Sequence, residues 1–257
     1  MTIRRLQQMI AADLLKLRKK RSVAGWALVL TAGISIVFYA YLVIAHATDP
    51  RHHGPAGGLR HFSNAISTLG LDFGTIAAIL IGVEAGAGET ADGIFRELVV
   101  TGRSRLVLFA TRIPAALIVT LVVVSAALTI ATLVTFLFAG GEPTPSAWLV
   151  AQAVGWVLLA NSAVCVVAVG LGALMGSRPA ALISLIAWQT IATRLLLNTP
   201  ALGGVRKAVL DAALTQLKPG PHGRDVAMSA VLAVLVIALW AAIATTLGAW
   251  RTRNRDA

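Results

Sequence analysis

The sequence predicts an all-α polytopic membrane protein with six transmembrane helices. Three observations support this class: the 257 residues are 57% hydrophobic, only 13% are charged, and six apolar segments are long enough to cross a bilayer. Soluble domains are about 45–50% apolar and about 25% charged, and a spanning helix needs about 20 apolar residues. The composition therefore argues against a soluble enzyme and against a disordered chain.

The six apolar segments account for most of the chain and predict a single transmembrane domain over residues 1–257. The first is too long for the apolar region of a signal peptide, about 7–15 residues, so we expect it to be retained. The third has an earlier candidate start at Ser104; the helix would then be roughly 50 Å long and would project into the cytoplasm. The predicted segments are 23–45, 65–83, 113–138, 147–175, 179–197 and 226–250.

The formal net charge is +11, and the placement of lysine and arginine predicts the orientation. Cytoplasmic loops of membrane proteins are rich in both residues. With both termini in the cytoplasm, 15 of the 22 basic residues lie on that side of the plasma (inner) membrane, whereas five of the other seven lie in or beside the long final loop, against the rule. No basic stretch is interleaved with aromatic residues, so nucleic acid is not an expected partner.

Two segments outside the spans have apolar stripes at helical spacing. Residues 1–22 predict an amphipathic helix on the cytoplasmic leaflet of the lipid bilayer, although they could simply be a basic segment before the first span. Residues 198–225 predict a short amphipathic helix at the outer interface, or one that dips back into it. The stripes are Ile3, Leu6, Ile10, Leu14 and Leu17, and Leu202, Val205, Val209, Ala213 and Leu217.

Catalytic and metal-binding motifs are not found in the sequence. The four histidines of residues 46–61 are separated by proline and glycine, so a solvated loop is favoured over a zinc site. The single cysteine, Cys165, excludes an internal disulfide. H-E-x-x-H, G-x-S-x-G and the phosphate-binding G-x-x-x-x-G-K-[ST] do not occur. Glu84 and Glu89 could form an acid/base pair, but ion pairing or docking is favoured, and we do not expect an enzyme.

The connection between the second and third spans, residues 84–105, is the most informative segment. It carries both signs of charge in 22 residues, and Ile94, Phe95, Leu98 and Val99 form an apolar patch at helical spacing. This pattern predicts a short amphipathic helix that ends near Gly102 and whose apolar face docks into a groove.

These residues resemble the ABC-2 type permease family, the membrane subunits of ABC exporters. Family members carry E-x-x-x-G-x-x-R-x-L-x-x-x-P-x-S-R after the second helix. The chain matches it at Glu89, Gly93, Arg96, Leu98, Ser104 and Arg105, and has Gly102 in place of the proline. The six-span layout and the basic, amphipathic N-terminus are also similar.

The resemblance implies that this connection is a coupling helix that contacts a separate cytoplasmic ABC ATPase subunit, which would bind ATP and Mg²⁺. This chain would need no cofactor, and would pair with a second copy or a homologous permease to move a drug, antibiotic, lipid or other substrate outward. The alternative is a secondary transporter or channel that needs no ATPase. The implied coupling residues are Glu89, Asp92, Gly93, Ile94, Phe95, Arg96, Leu98, Ser104 and Arg105.

Polar side chains within the spans are candidates for the transport pathway, because burying them in lipid is costly. Asp72 is one candidate; alternatively, it lies near the headgroups and pairs with Arg194. Asn161 and Gln189 are the others, although hydrogen bonds between helices are favoured for both. A ridge of small residues on the fourth span predicts close helix packing: Ala168, Gly172 and Gly176.

Overall fold

A computed structural model describes residues 3–93, 104–220 and 226–254. Within these ranges the regular secondary structure is helical, and six helices are long and apolar enough to cross a membrane. The predicted all-α multi-pass class is therefore confirmed. We number the helices α1 (Ile3–Lys19), α2 (Arg21–Thr48), α3 (Gly58–Leu71), α4 (Phe73–Ala91), α5 (Arg105–Leu137), α6 (Ala147–Met175), α7 (Arg178–Leu197), α8 (Leu210–Leu217) and α9 (Ala230–Asn254).

Local signals explain several helix ends. The Ser146 hydroxyl accepts a hydrogen bond from the Leu149 amide at 3.2 Å and caps the start of α6. Gly176 ends that helix in the left-handed conformation, with φ at 66°. Ser104 directly precedes α5, whose 33 residues extend about 50 Å. The earlier start considered for the third span is the one observed.

The second span differs most from its predicted limits. It covers Gly58–Ala91 rather than 65–83, and it is interrupted at Asp72, which has non-helical dihedral angles of −114° and −101°. Because α4 continues to Ala91, Glu84 and Glu89 are helical and do not belong to a loop. Arg112, which directly precedes the predicted third span, lies within α5 and is buried. Hydropathy misplaced these limits because charged residues end an apolar segment before the helix ends.

The centre of the bundle is the contact between α4 and α6. A Cβ atom on Gly86 would lie 2.3 Å from the Val169 carbonyl oxygen, and one on Gly82 would lie 2.7 Å from that of Cys165. Gly172 similarly approaches the backbone of Val83. Glycine at these positions lets the two backbones touch, as the predicted small-residue ridge on α6 requires. This contact places α4 and α6 together at the centre of the bundle.

Helix α1 packs along the beginning of α5, at the end of the bundle that also holds the end of α9. Arg105 donates a hydrogen bond to the Arg253 carbonyl oxygen at 3.2 Å, which brings these two helix ends together. We call this the terminal end. The side chains of Met9 and Leu17 are buried against the protein, whereas Leu6 is exposed. Ile10 and Leu14 of the predicted stripe are half-buried, so the second half of that stripe faces the bundle, and Met9 is covered in addition.

Residues 200–217 return to the bundle at its opposite end. A 3-10 segment, Pro200–Ala208, leads into α8, in which Ala213 and Leu214 are fully buried. The indole nitrogen of Trp156 donates to the Leu214 carbonyl oxygen at 2.8 Å. Trp156 lies about 14 Å along α6 from its start. The helix expected in this loop is therefore present and is inserted among the other helices.

Candidate functional site

A cluster of ion pairs lies at the terminal end, where the chain enters and leaves the connection 94–103. We call it the terminal cluster. Its members come from α1, the junction after it, α4 and its end, α5 and α7. They are Asp13, Lys16, Lys20, Glu84, Glu89, Asp92, Arg112 and Arg178.

Glu89 and Arg112 form the more enclosed of the ion pairs between α4 and its neighbours. The Glu89 carboxylate accepts a hydrogen bond from the Lys16 ammonium at 2.5 Å and another from the Arg112 guanidinium. Arg112, whose side chain is only 4% exposed, also donates to the Gly86 carbonyl oxygen at 3.0 Å. Burial alone would lower the pKa of Lys16, but the hydrogen bond and charge of Glu89 raise it above its usual value. Glu89 therefore joins α4 to both α1 and α5.

Asp92 and Arg178 form the second half of the terminal cluster. Arg178 donates to both carboxylate oxygens of Asp92 at 2.7 Å and to Glu84 at 3.0 Å. Lys20 binds Asp92 at 3.0 Å and Glu84 at 2.5 Å. The hydrogen bonds from Arg178 and Lys20 lower the pKa of Asp92 to about 2, so this carboxylate stays ionised at neutral pH. Together these contacts join α7 and the start of α2 to the end of α4.

The terminal cluster contains only part of the predicted coupling site. Glu89, Asp92 and Gly93 lie before the connection, and Gly93 has a φ of 74°, which glycine adopts without strain. Ser104 and Arg105 lie after it. Glu89 is bound by Lys16 and Arg112. Four predicted coupling residues lie outside the described residues: Ile94, Phe95, Arg96 and Leu98.

Sequence reasoning missed the basic half of this cluster. Lys16 lies in the predicted amphipathic helix, whereas Arg112 and Arg178 directly precede predicted spans and contributed only to the predicted orientation. A signal was present, since Glu84, Glu89 and Asp92 follow an apolar segment without a basic residue between them. Carboxylates in that position need partners from other helices, but the sequence does not show which helices supply them.

The second polar group surrounds the interruption of the second span, and we call it the break cluster. It consists of Asp72, Asn161, Gln189, Arg194 and Asp211. Asn161 donates to the Leu69 carbonyl oxygen at 2.9 Å, and Gln189 donates to that of Leu71 at 3.2 Å. Both carbonyls belong to the last turn of α3, where intrahelical partners are missing. The hydrogen bonds between helices that we favoured for Asn161 and Gln189 are present.

Asp72 pairs with Arg194 in the structure. The two side chains are 36% and 67% exposed, so the pair lies at the surface of the bundle rather than in a closed pathway. Asp211 was not identified from the sequence. Both of its carboxylate oxygens accept hydrogen bonds from the Gln189 amide nitrogen, at 2.9 and 3.0 Å. Its only sequence signal is an acid within the apolar stripe of residues 202–217.

We predict that Asp72→Asn lowers stability modestly, by about 1 kcal/mol or less, because exposed ion pairs contribute little. Replacing Arg194 with glutamine in the same chain should remove most of the additional loss. Thermal unfolding of both single variants and the double variant in detergent measures their coupling, since contacting residues deviate from additivity. Strict additivity would show that the pair contributes nothing. Altered transport with unchanged stability would instead support a role for Asp72 in the transport pathway.

Neither protein-family models nor curated proteins match this chain. Among the residues that the structure describes, no group of three histidine, cysteine or acidic side chains is arranged to hold a metal ion. The fold itself defines the class, which is an all-α protein with six helices able to cross a membrane.

Proposed function

We propose that the chain is the permease subunit of an ATP-driven exporter and that residues 89–105 couple it to a separate ATPase. The observation that carries this proposal is the terminal cluster. It joins α1, α4, α5 and α7 through ion pairs immediately before the connection that bears the family-like motif. An ordinary loop needs no such attachment, whereas a segment that receives force needs a rigid base.

The contacts give a route by which that force would move the bundle. A push on the connection reaches α4 at one end and α5 at the other. Glu89 and Arg112 connect these two helices directly, and Arg178 connects α4 to α7. The helices would then move as a group. ATP and Mg²⁺ would be held by the ATPase, and closure of the ATPase dimer would drive the movement.

One set of six helices is too few to enclose a pathway for a bulky substrate, so the working unit would contain a second permease. It would be another copy of this chain or a homologous one. The pair would alternate between inward-facing and outward-facing arrangements, or squeeze substrate outward, in the plasma (inner) membrane.

The coupling proposal predicts that Phe95→Ala weakens binding of the ATPase roughly 30-fold or more, because a buried aromatic anchor commonly contributes at least about 2 kcal/mol. Co-purification and titration of the ATPase against the reconstituted permease measure this loss. Phe138→Ala is the matched control, since Phe138 is exposed at the opposite end of the bundle. Equal losses in the two variants would point to general damage rather than to an interface.

Charge reversal at Arg96 tests the coupling itself. We expect Arg96→Glu to separate ATP hydrolysis from transport in reconstituted vesicles, while Arg251→Glu, at an exposed position near the end of α9, leaves them coupled. If Arg96 serves only as one of many basic residues that set orientation, both variants should behave like the wild type. Wild-type coupling in both Arg96→Glu and Phe95→Ala would remove the reason to prefer an ATP-driven exporter over a secondary transporter.

The orientation gives a further prediction. Basic residues flank α2 and α9 at the terminal end, so both chain ends should face the cytoplasm. Reporter fusions after residue 257 and within residues 139–146 measure this directly. Cytoplasmic activity at the tail and external activity at the loop are expected. External activity at the tail would refute the six-span orientation.

A further inference from the structure

An apolar cavity of about 210 Å³ is lined mainly by residues of the candidate membrane-spanning helices and by no member of the terminal cluster. It is formed between α4, α6, α7, α8 and α9. Trp188 and Trp240 form one wall with their ring centroids 5.9 Å apart, while Ile79 and Leu171 contribute to the apolar lining. A cavity of about 150 Å³ can hold benzene, so this one has room for a larger apolar group.

One polar group gives this cavity a chemical preference. Gln189 lines it and is buried, and its amide nitrogen donates to Leu71 and to both carboxylate oxygens of Asp211. The nitrogen is thus committed, and the amide oxygen remains as the acceptor for a ligand. Asp211 lies directly behind this amide and makes the surroundings of that oxygen negative.

The charge of Asp211 is not cancelled by an ion pair. Among the described residues, no lysine or arginine nitrogen lies within 4 Å of its carboxylate. Arg194, the nearest basic partner in the break cluster, is bound to Asp72. With Asp211 ionised, Asp72, Arg194 and Asp211 carry a net charge of −1 beside the cavity. A cation would balance this charge, and a tryptophan in the lining attracts a cation that lies over its ring face.

We propose that this cavity binds a lipophilic amine in its protonated form. The apolar body fills the space beside Trp188 and Trp240, and the ammonium group donates a hydrogen bond to the Gln189 oxygen, with Asp211 supplying the opposing charge. Ser184 and Trp188 are exposed on the flank of the bundle, so an amine dissolved in the bilayer can enter sideways. If the chain is an exporter, this site indicates the class of its substrate, but binding itself requires no ATPase.

The test uses the full chain in lipid nanodiscs without an ATPase and a pair of probes that differ mainly in charge. Naphthalen-2-ylmethylamine is protonated at pH 7, as a lysine side chain is, and naphthalen-2-ylmethanol is its neutral counterpart. Equilibrium dialysis measures both, and Ser184→Trp, which blocks the mouth of the cavity, gives the background from partition into lipid. We expect saturable binding of the amine, at least about tenfold tighter than that of the alcohol.

Asp211→Asn tests the source of the preference, because asparagine can still accept the hydrogen bond from Gln189. It should weaken binding of the amine roughly tenfold while leaving binding of the alcohol unchanged, which also shows that the cavity is intact. Asp49→Asn is the matched control, since Asp49 lies in the connection between α2 and α3. Equal binding of both probes would indicate an apolar site that suits acyl chains, and would overturn the proposal. So would a loss of both probes in Asp211→Asn, or the absence of binding above the Ser184→Trp background.

The two proposals can fail separately. A failed amine-binding test leaves the response of ATPase coupling to Phe95→Ala and Arg96→Glu unaffected. Conversely, if the chain binds the amine but does not bind an ATPase, the amine site is supported and the exporter proposal is not.

Discussion

Arg112→Met is expected to lower the free energy of unfolding by about 3 kcal/mol, because it removes a buried charge whose partner stays behind. Glu89 would keep the ammonium group of Lys16 but lose the guanidinium, and the Gly86 carbonyl would lose its side-chain donor. Thermal and denaturant unfolding in detergent measure the loss.

Arg251→Met serves as the control for this change, since Arg251 is exposed and the same substitution there should cost well under about 1 kcal/mol. Adding Glu89→Gln to Arg112→Met should recover part of the stability, because the uncompensated carboxylate is then removed. A loss as small as that of Arg251→Met would mean that the pair does not hold α4 and α5 together.

Gly86→Val should be still more damaging, with a loss of about 3 kcal/mol or more and little folded protein recovered from the membrane. Its first side-chain atom would lie 2.3 Å from the Val169 carbonyl oxygen and 2.9 Å from the Ala173 nitrogen. Both are backbone atoms, so no side-chain rotation can relieve the overlap. The α4 and α6 helices would have to separate.

Gly155→Val is the matched control for packing, because a Cβ on Gly155 has open space around it and this residue also lies in α6. Size-exclusion profiles and unfolding temperatures of the two variants provide the comparison. Valine is better suited than glycine to a lipid-facing helix, so Gly155→Val should be neutral or stabilising. If Gly86→Val behaves in the same way, the close contact at the centre of the bundle is not required.

The six spans could be predicted because lipid requires a long apolar helix, and this requirement is visible in a single sequence. The interruption at Asp72 could not, since neither proline nor an unusual run of glycine marks it. Its stability depends on Asn161 and Gln189, which are distant in sequence. The prediction that these two side chains bond between helices was correct in kind, but it did not identify carbonyl partners in α3.

The polar sites were harder to predict than the spans, because the partners of each charged side chain are set by which helices lie next to each other in the fold. Glu89 and Asp92 were identified as candidates, but their observed partners Lys16 and Arg178 lie 73 and 86 residues away. Asp211 was missed because its surroundings in the sequence resemble an interfacial helix. Its position becomes informative only when α8 lies beside Gln189.

The positions of the two groups of ion pairs define a hydrophobic thickness. Asp72 and Asp92 lie at the two ends of α4, whose 19 residues extend about 28 Å. Charged pairs avoid the hydrocarbon, which is about 30 Å deep, so we expect α4 to cross it with the faces of the bilayer near these two layers. The longer α5 would then extend beyond the lipid at both of its ends, and α6 would extend on the side opposite the termini. A thicker bilayer would have to thin locally or draw charge inward, so the protein should be most stable in lipids of ordinary or short chain length.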